Sequence, residues 1–276
     1  MPIITLTTDF GFKDPSIGAI KGSIFSELGD VNIVDISHEV SPFHTLEAAY
    51  IIKNAYHTFP KGSIHIIGVD SEITPENKHL AIALDDHYFI CADNGILSLI
   101  ASEINPQKIV EINIHDAVET TFPVLDIFVK VASHIARGGT LEVIGKPITA
   151  IKQLKAIKPQ INDAQNQIQG HVIYIDNYGN VVTNVTRNTI QQIGKGRDFV
   201  ISARTTRFTK IYDTYSHAID FNEAKEIREE EGKKMAIFNT ANYLEIAIYK
   251  SNPHTVGSAS TLLGLKLLDT ITINFN

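Results

Sequence analysis

The sequence predicts an α/β fold, with an N-terminal α/β sandwich domain containing a largely parallel sheet and a C-terminal β-barrel domain. Three observations lead there. Short apolar runs alternate with helix-period segments up to residue 137. A polar stretch over residues 147–169, rich in Lys, Gln and Asn and holding Pro147 and Pro159, then breaks the pattern. After it, closely spaced strand patterns follow one another with few helices between them.

Taken in order, residues 3–8 read as a buried strand and residues 16–28 as a helix with Ile17, Ile20, Ile24 and Leu28 on one face. Residues 31–36 form a second strand. Residues 45–59 form a helix that Thr45 is placed to cap, with Pro60 and Gly62 beyond its end. Residues 63–69 are a third strand; 80–84 and 88–92 are two more, joined by the turn Asp85-Asp86-His87. A short helix over 94–103, a strand over 108–114 and a helix over 126–137, ended by Gly138-Gly139, complete the first half. The polar stretch reads as a linker or crossover. Strand patterns then fall at 170–175, 181–185, 198–203, 235–239, 244–248 and 270–273. The domains are expected at 1–165 and 166–276, with no internal repeat and no low-complexity tract.

Composition narrows the function. The 276 residues are 43% hydrophobic and 20% charged, as in a folded globular protein. A net charge of −7 disfavours a nucleic-acid partner. The mixed run Glu229-Glu230-Glu231-Gly232-Lys233-Lys234 reads as a solvated loop or helix end. Cys91 is the single cysteine and sits in the apolar run Tyr88-Phe89-Ile90-Cys91-Ala92, which favours a small buried hydrophobe over a nucleophile. One cysteine excludes a disulfide within the chain and suits a reducing compartment. No secretory leader is visible, and no run reaches the roughly 18 apolar residues that span a bilayer. The expectation is a cytoplasmic protein with no nucleic-acid or membrane partner.

Ligands of open α/β sheets bind beyond the carboxyl ends of the strands. Four polar loops fall there: Thr8-Asp9-Phe10-Gly11, Ser37-His38, Val69-Asp70-Ser71 and Asp93-Asn94-Gly95. Asp9 offers two acceptor oxygens that suit the paired hydroxyls of a ribose. The alternative is that Asp9 and Asp14 merely cap turns. Gly11 either lets backbone approach a ligand or supplies a positive φ. No glycine-rich phosphate loop follows the first strand, which argues against a phosphorylated nucleotide. In the second half, Asp176-Asn177-Tyr178-Gly179-Asn180 places an aromatic ring beside an acid and amides; it reads equally as a nucleoside contact and as a hairpin turn. His38 directly follows a strand and is a catalytic candidate, whereas His57 and His65 read as ordinary surface or half-buried histidines. Neither an HExxH motif nor paired Cys/His spacing is present, so no dedicated metal site is expected.

Taken together, these residues resemble the S-adenosylmethionine (SAM) hydroxide adenosyltransferase family, relatives of the SAM-dependent fluorinase and chlorinase. The matching pieces are Thr8-Asp9-Phe10-Gly11 with Asp14 and Lys21-Gly22, Val34-Asp35-Ile36-Ser37-His38, Pro42-Phe43, Phe59-Pro60-Lys61-Gly62, Val69-Asp70 and Asp93-Asn94-Gly95. Further on come Phe122 with Asp126-Ile127-Phe128, Gly145-Lys146-Pro147, and Asp176 with Tyr178-Gly179-Asn180 and Thr183-Asn184. They run in order over nearly the whole chain. The resemblance implies a homotrimer with SAM bound between one subunit's N-terminal domain and a neighbour's C-terminal domain. It also implies that Asp9 binds the ribose, and that Phe10, Asp14, Phe43, Phe122, Asp176, Tyr178, Asn180, Asn239 and Thr240 hold the rest of the nucleoside.

The implied chemistry is displacement at the ribose C5′ by water, giving adenosine and L-methionine, with SAM as substrate and no cofactor. Asp70 matches the family's water-activating acid. The sequence departs from the family at its partners: Asn77 stands at the family's Arg position, Pro123 at its His and Leu125 at the next Arg. Glu72, Lys78 and His79 are candidate helpers for Asp70. A different nucleoside or nucleophile, with Asp70 and Glu72 tuned for it, stays open beside three functions in order of preference: a SAM hydrolase with a rearranged base, a non-catalytic SAM or adenosine module, and a SAM-dependent halogenase. The last is disfavoured because Asp70 would repel a halide in a dry site.

Overall fold

A computed structural model describes residues 2–101, 104–114, 119–226, 228, 230 and 232–276. The chain divides into two compact units, Met1–Ala156 and Ile157–Asn276.

The first unit is a seven-stranded sheet between two layers of helix. Its strands are β1 (Ile3–Thr8), β2 (Asn32–Ser37), β3 (Ile64–Gly68), β4 (His79–Leu84), β5 (His87–Ala92), β6 (Lys108–Ile112) and β7 (Gly145–Pro147), in the order β2-β1-β3-β5-β4-β6-β7. Pairing is parallel from β2 through β1 and β3 to β5, and antiparallel from β5 through β4 and β6 to β7. The switch occurs at the β4–β5 hairpin, whose turn residues Asp85 and Asp86 take φ of 52° and 61°. Two successive positive φ values belong to the tight turn that matches strand twist, and Asp tolerates them.

Alternation along the strands loads both faces of this sheet. Ile4, Leu6, Ile64 and Ile66 pack with Ile17, Ile20 and Ile24 of α1 (Ser16–Leu28). On the same side lie α4 (Val129–Ala136) and α5 (Leu141–Ile144). Ile67, Val69, Leu80, Ile82 and Phe89 pack on the other side with α2 (Thr45–Lys53) and α3 (Ile96–Ile100). Helices on both faces explain why these strands read as nearly continuous apolar runs. Cys91 is fully buried in the second layer, and burial pushes its thiol well above the usual range, as suits a core residue.

Several boundaries differ from the sequence reading for local reasons. The helix expected over 45–59 ends at Lys53, where Asn54 turns its own Nδ2 back onto the Tyr50 carbonyl at 2.8 Å; a 3₁₀ turn, Tyr56–Thr58, follows. Its cap is His44, whose Nδ1 accepts from Glu47 N at 3.1 Å, and not Thr45. The helix expected from 126 begins earlier, as a π-helical turn Val124–Phe128 behind Pro123. Glu103, the expected end of the 94–103 helix, lies outside the described residues, as do Glu229 and Glu231 of the mixed-charge run.

The second unit is a barrel-like nine-stranded sheet. Its strands are β8 (Gln160–Ile161), β9 (Gln167–Ile175), β10 (Val181–Thr186), β11 (Phe199–Ala203), β12 (Thr206–Phe208), β13 (Ile211–Tyr212), β14 (Lys234–Phe238), β15 (Tyr243–Ile248) and β16 (Thr270–Phe275). They run in the order β12-β11-β16-β9-β10-β15-β14-β13, with β8 on β9. The long β9 pairs β16 through 167–171 and β10 through 172–175, and so bends from one neighbour to the other. At the bend stands Gly170, where a Cβ would strike Val185. Helix α6 (Arg187–Gly194) was not expected. Its polar face of Arg187, Asn188, Gln191 and Gln192 masks the apolar Ile190, and Thr186 caps it by accepting from Thr189 N at 3.1 Å.

One core feature departs sharply from the sequence reading. His65, expected at the surface or half-buried, is 1% exposed in the middle of the parallel strands. Its Nδ1 meets Thr5 Oγ1 at 2.7 Å, and its Nε2 meets His87 Nδ1 at 3.2 Å. The rings of Phe59, Phe89 and Tyr56 pack around it. Burial and then the neighbouring His87 hold His65 down at about 3. The folded-state value is depressed, so the neutral ring contributes stability above the ordinary value of 6.5, and this is lost as pH falls from 6.5 toward 3. At about 1.4 kcal/mol per unit, roughly 3 kcal/mol should disappear between pH 6.5 and pH 4. Denaturant titrations at the two pH values should show this loss in the wild type and a much smaller loss in His65→Gln.

Candidate functional site

The parallel half of the sheet delivers the polar loops to one edge. β1 lies between β2 and β3, so the carboxyl ends of all three project the same way, carrying Asp9, His38 and Asp70. Asp9 is half-buried, and its Oδ2 accepts from Phe43 N at 2.8 Å. This contact holds Phe43 at φ 62°, a conformation rare for an aromatic residue, with its ring 74% exposed. Gly11 sits at φ 64° and donates its N–H to the His38 carbonyl at 2.8 Å. Asp9 therefore ties two loops together and is more than a turn cap. Asp14 is exposed in the turn before α1.

Asp70 follows β3 and takes φ 46°. Asn94, buried behind it, donates through Nδ2 to the carbonyls of Val69 at 2.9 Å and Asp70 at 3.2 Å, which fixes the strained turn. Asn77 lies in the same loop, and its Oδ1 accepts from Lys152 Nζ at 3.1 Å. The backbone N of Lys152 binds Asp93 Oδ1 at 2.9 Å, so Lys152 fastens the loops after β3 and β5 to each other. Burial raises Asp93, and the Lys152 contacts offset it in part. His79 is fully buried, touches the ring of Phe128, and its Nε2 meets the Ser71 carbonyl at 2.9 Å. It braces the loop from beneath rather than facing a ligand. Pro123 is buried and starts the π-helical turn at φ −56°. Phe122 packs edge-on against Phe10 at 5.5 Å between ring centres, and its N–H binds Thr120 Oγ1 at 2.8 Å. Thr120 also contacts Asp126. Gly68, at the end of β3 and two residues before Asp70, has no room for a Cβ between Val124, Thr8 and Phe10.

The second unit gathers its own set of polar residues. Asp176 opens the loop between β9 and β10, and this loop is indeed a hairpin connection. Asp176 Oδ1 accepts from Tyr178 N at 2.9 Å and Asn180 N at 2.8 Å, and Oδ2 accepts from Asn180 Nδ2 at 3.0 Å. Gly179 takes φ 73° against Ser258, which leaves no space for a side chain. Tyr178 on this loop is 64% exposed. Asn180 is buried, and its Oδ1 has no hydrogen-bond partner among the described residues. Asn239 accepts from Ala241 N at 3.0 Å and Tyr243 N at 3.1 Å through Oδ1, and Thr240 beside it is exposed.

Two residues absent from the sequence reading belong to this group. Glu245 is 3% exposed on β15, and its Oε1 accepts from Tyr215 OH at 2.7 Å. Burial raises Glu245, with hydrogen bonds from Tyr215 and Asn239 opposing and nearby Asp176 adding to it. Burial first, and then the bond to Glu245, push Tyr215 far up. The available signal was a lone acid inside the apolar strand Tyr243-Leu244-Glu245-Ile246-Ala247-Ile248, since a buried Glu requires partners. Among the described residues no group of three His, Cys, Asp or Glu side chains is placed to hold a metal ion.

The Asp176 loop makes a direct prediction. Asp176→Ala leaves the N–H groups of Tyr178 and Asn180 without their acceptor. It should cost the protein roughly 2 kcal/mol in thermal or denaturant unfolding.

Residues 4–145 match the model of the SAM hydroxide adenosyltransferase N-terminal domain, and residues 170–272 match that of its C-terminal domain. A protein named (R)-S-adenosyl-L-methionine hydrolase from Methanocaldococcus jannaschii is 27% identical, over 99% of this chain and 96% of its own. A protein named fluorinase from Nocardia brasiliensis is 24% identical over 71% of this chain and 75% of its own. A solved structure described as an uncharacterized conserved protein from Thermotoga maritima superposes with a TM-score of 0.81 at 27% identity, covering 99% of both chains. With both domain models matched in order, over well more than half of its length, the chain belongs to the SAM hydroxide adenosyltransferase family.

Proposed function

We propose that this protein binds SAM and cleaves it with water at the ribose C5′, giving adenosine and L-methionine. The observation that carries the proposal is the delivery of Asp9, Phe43 and Asp70 to one edge of the parallel strands, in a chain whose two family domains are both present. Asp9 keeps free acceptor capacity for the 2′- and 3′-hydroxyls while its Oδ2 holds Phe43. Phe10 and Phe122 form an apolar wall beside it, and Asp14 and the exposed Phe43 ring add further contacts. In the second unit, Tyr178 offers a stacking face, and the buried Asn180 Oδ1, without a partner among the described residues, an acceptor for a base amino group. Asp176 holds that loop in shape, with Asn239 and Thr240 alongside.

The reaction is an in-line displacement. The oxygen of water forms a bond to C5′ as the C5′–S bond breaks, and the electron pair leaves with sulfur, so the sulfonium becomes a neutral thioether. The proton of water passes to the Asp70 carboxylate and then to solvent. A neutral leaving group reduces the enzyme's task to placing and dehydrating the nucleophile and accepting one proton. SAM is the substrate, and no resident cofactor or metal enters the proposal. Cytoplasmic residence and a homotrimer complete the reading; a sedimentation measurement should return three copies.

A second reading, a module that binds SAM or adenosine without turning it over, rests on Asn77 and Pro123; the first reading requires Asp70 to act alone. Asn77 is engaged by Lys152, and Pro123 has no proton to exchange, so Asp70 works without the Arg and His of the family pattern. Purified protein incubated with SAM should release adenosine and methionine in equal amounts. Asp70→Asn should lower kcat by roughly 10²–10⁴-fold. Asp9→Ala should raise KM by about tenfold or more, because a charge-assisted pair of hydrogen bonds is lost. Binding of SAM without adenosine release would instead make the protein a nucleoside-binding module. A halide-dependent 5′-halo-nucleoside would make it a halogenase.

A further inference from the structure

A chain of polar contacts runs beneath the Asp9 loop, made of residues to which the proposed reaction gives no part. Lys21 Nζ on α1 binds Asp35 Oδ2 on β2 at 2.6 Å. Asp35 Oδ1 lies 3.1 Å from Nε2 of His38, at an angle poorer than that of a straight hydrogen bond. His38 Nδ1 meets Thr8 Oγ1 at 2.8 Å, and Thr8 Oγ1 in turn accepts from Phe10 N at 3.4 Å. His38 also holds the loop through its backbone, its carbonyl accepting from Gly11 N at 2.8 Å. The ring of Phe12 closes edge-on over the imidazole at 4.9 Å. Thus both sides of Asp9 are attached to one buried histidine.

The fold produces this contact deliberately at one point. β1 and β2 run in register from Ile3↔Asn32 to Leu6↔Asp35, and then Thr7 pairs with Ser37, so Ile36 is skipped. A bulge of this kind re-aims the side chains that follow it, and here the next residue is His38. The contacts also have a consistent direction. With a proton on Nε2 facing Asp35, Nδ1 accepts from the Thr8 hydroxyl, and the Thr8 oxygen is left to accept from Phe10 N.

Thr8, His38 and Asp35 follow the hydrogen-bond order of a nucleophile, its base and the acid that orients the base. Burial decides against that role. Thr8 is 0% exposed and its oxygen is already engaged by Phe10 N, so no substrate atom reaches it. Lys21 and Asp35 side chains, at 33% and 28% exposed, anchor the far end near the surface. A constellation aimed inward at a loop, rather than outward at a ligand, orients the loop.

We propose that His38 is a positioning residue, and that the relay Lys21–Asp35–His38–Thr8 fixes residues 8–11 so that Asp9 is presented to the ligand. This rests on Asp9 binding the nucleoside as proposed above. His38 itself touches neither ligand nor reacting atoms. Because Asp9 binds substrate and transition state alike, loss of the relay acts on KM and leaves kcat nearly unchanged.

Asp35→Asn and Thr8→Val test it, with the double variant and Lys21→Met. Asp35→Asn keeps the shape but removes the charge and leaves one acceptor oxygen where Lys21 and His38 now use two, so the amide cannot serve both; Thr8→Val removes the hydroxyl. Each is expected to raise the KM for SAM and the Kd for adenosine about tenfold, with kcat within about threefold of wild type. In the double variant the effect should be no larger than in the worse single variant, because both break one chain. Lys21→Met, a surface change that leaves the core intact, should shift KM in the same direction by a few-fold. Amide exchange at Phe10 and Gly11 in the ligand-free protein should speed up about tenfold in Asp35→Asn and Thr8→Val, while β3 amides stay protected. Unchanged exchange at Phe10 and Gly11, additive effects in the double variant, or a loss confined to kcat would each overturn the relay. If the wild type binds neither SAM nor adenosine, the proposed function falls, and the exchange rates still decide whether the relay fixes the loop.

Discussion

The parallel pairing of β1 with β2 on one side and β3 on the other is the constraint on which the rest depends. Parallel neighbours end at the same edge, so three separate loops are brought together without any contact having to form between them first. Register is held by burial: Ile4 and Leu6 enter one layer, while Thr5 and Thr7 face the other way. A slip of one residue would exchange the two sets and move every loop residue with them. The site is therefore as secure as the core beneath it. Thr5 contributes directly, because its hydroxyl is the partner of the buried His65.

Carboxylates of both units are matched to donors of their own. Asp35 lies below the ordinary range: burial works to raise it, and the bonds from Lys21 and His38 outweigh that. Asp93 and Asp176 are raised by burial, and backbone N–H groups offset part of the effect. Glu245 has Tyr215 and Asn239. These acids serve as local frames. They hold loops in conformations that short hydrophobic contacts would not specify, such as the positive φ of Phe43 held by Asp9 and of Gly179 within the Asp176 loop. An unpaired buried acid costs far more than an exposed one, so each pairing also makes the loop geometry singular.

The loop around Asp70 is framed from behind and beneath. Asn94 grips the Val69 and Asp70 carbonyls, and His79 braces Ser71. Gly68 allows β3 to run tight against Val124 and Phe10. None of these contacts uses residue 77 or the side chain at 123. The turn that carries Asp70 is thus held without the side chains of Asn77 and Pro123. Lys152, from the polar stretch after β7, supplies the positive charge bound to Asn77.

The sequence determined by itself those features that depend on local periodicity. Helix α1 was legible to the residue because Ile17, Ile20 and Ile24 recur on one face, and the strands because their apolar runs are short and bounded by turns. Asp9, Asp70 and Asp176 were legible as acids at strand ends, and the family pattern drew them into one set. The tertiary structure alone decided the rest. It replaced Thr45 with His44 as a cap, ended α2 at Lys53, buried His65 and revealed α6 behind a polar face. It joined Lys21, Asp35, His38 and Thr8 into a chain, and Glu245 to Tyr215, across separations of 3 to 30 residues. The reason is physical. Periodicity records which face of an element meets the core, whereas a hydrogen bond between two elements depends on register and on bulges such as the one at Leu6 and Thr7, which exist only once the strands have paired.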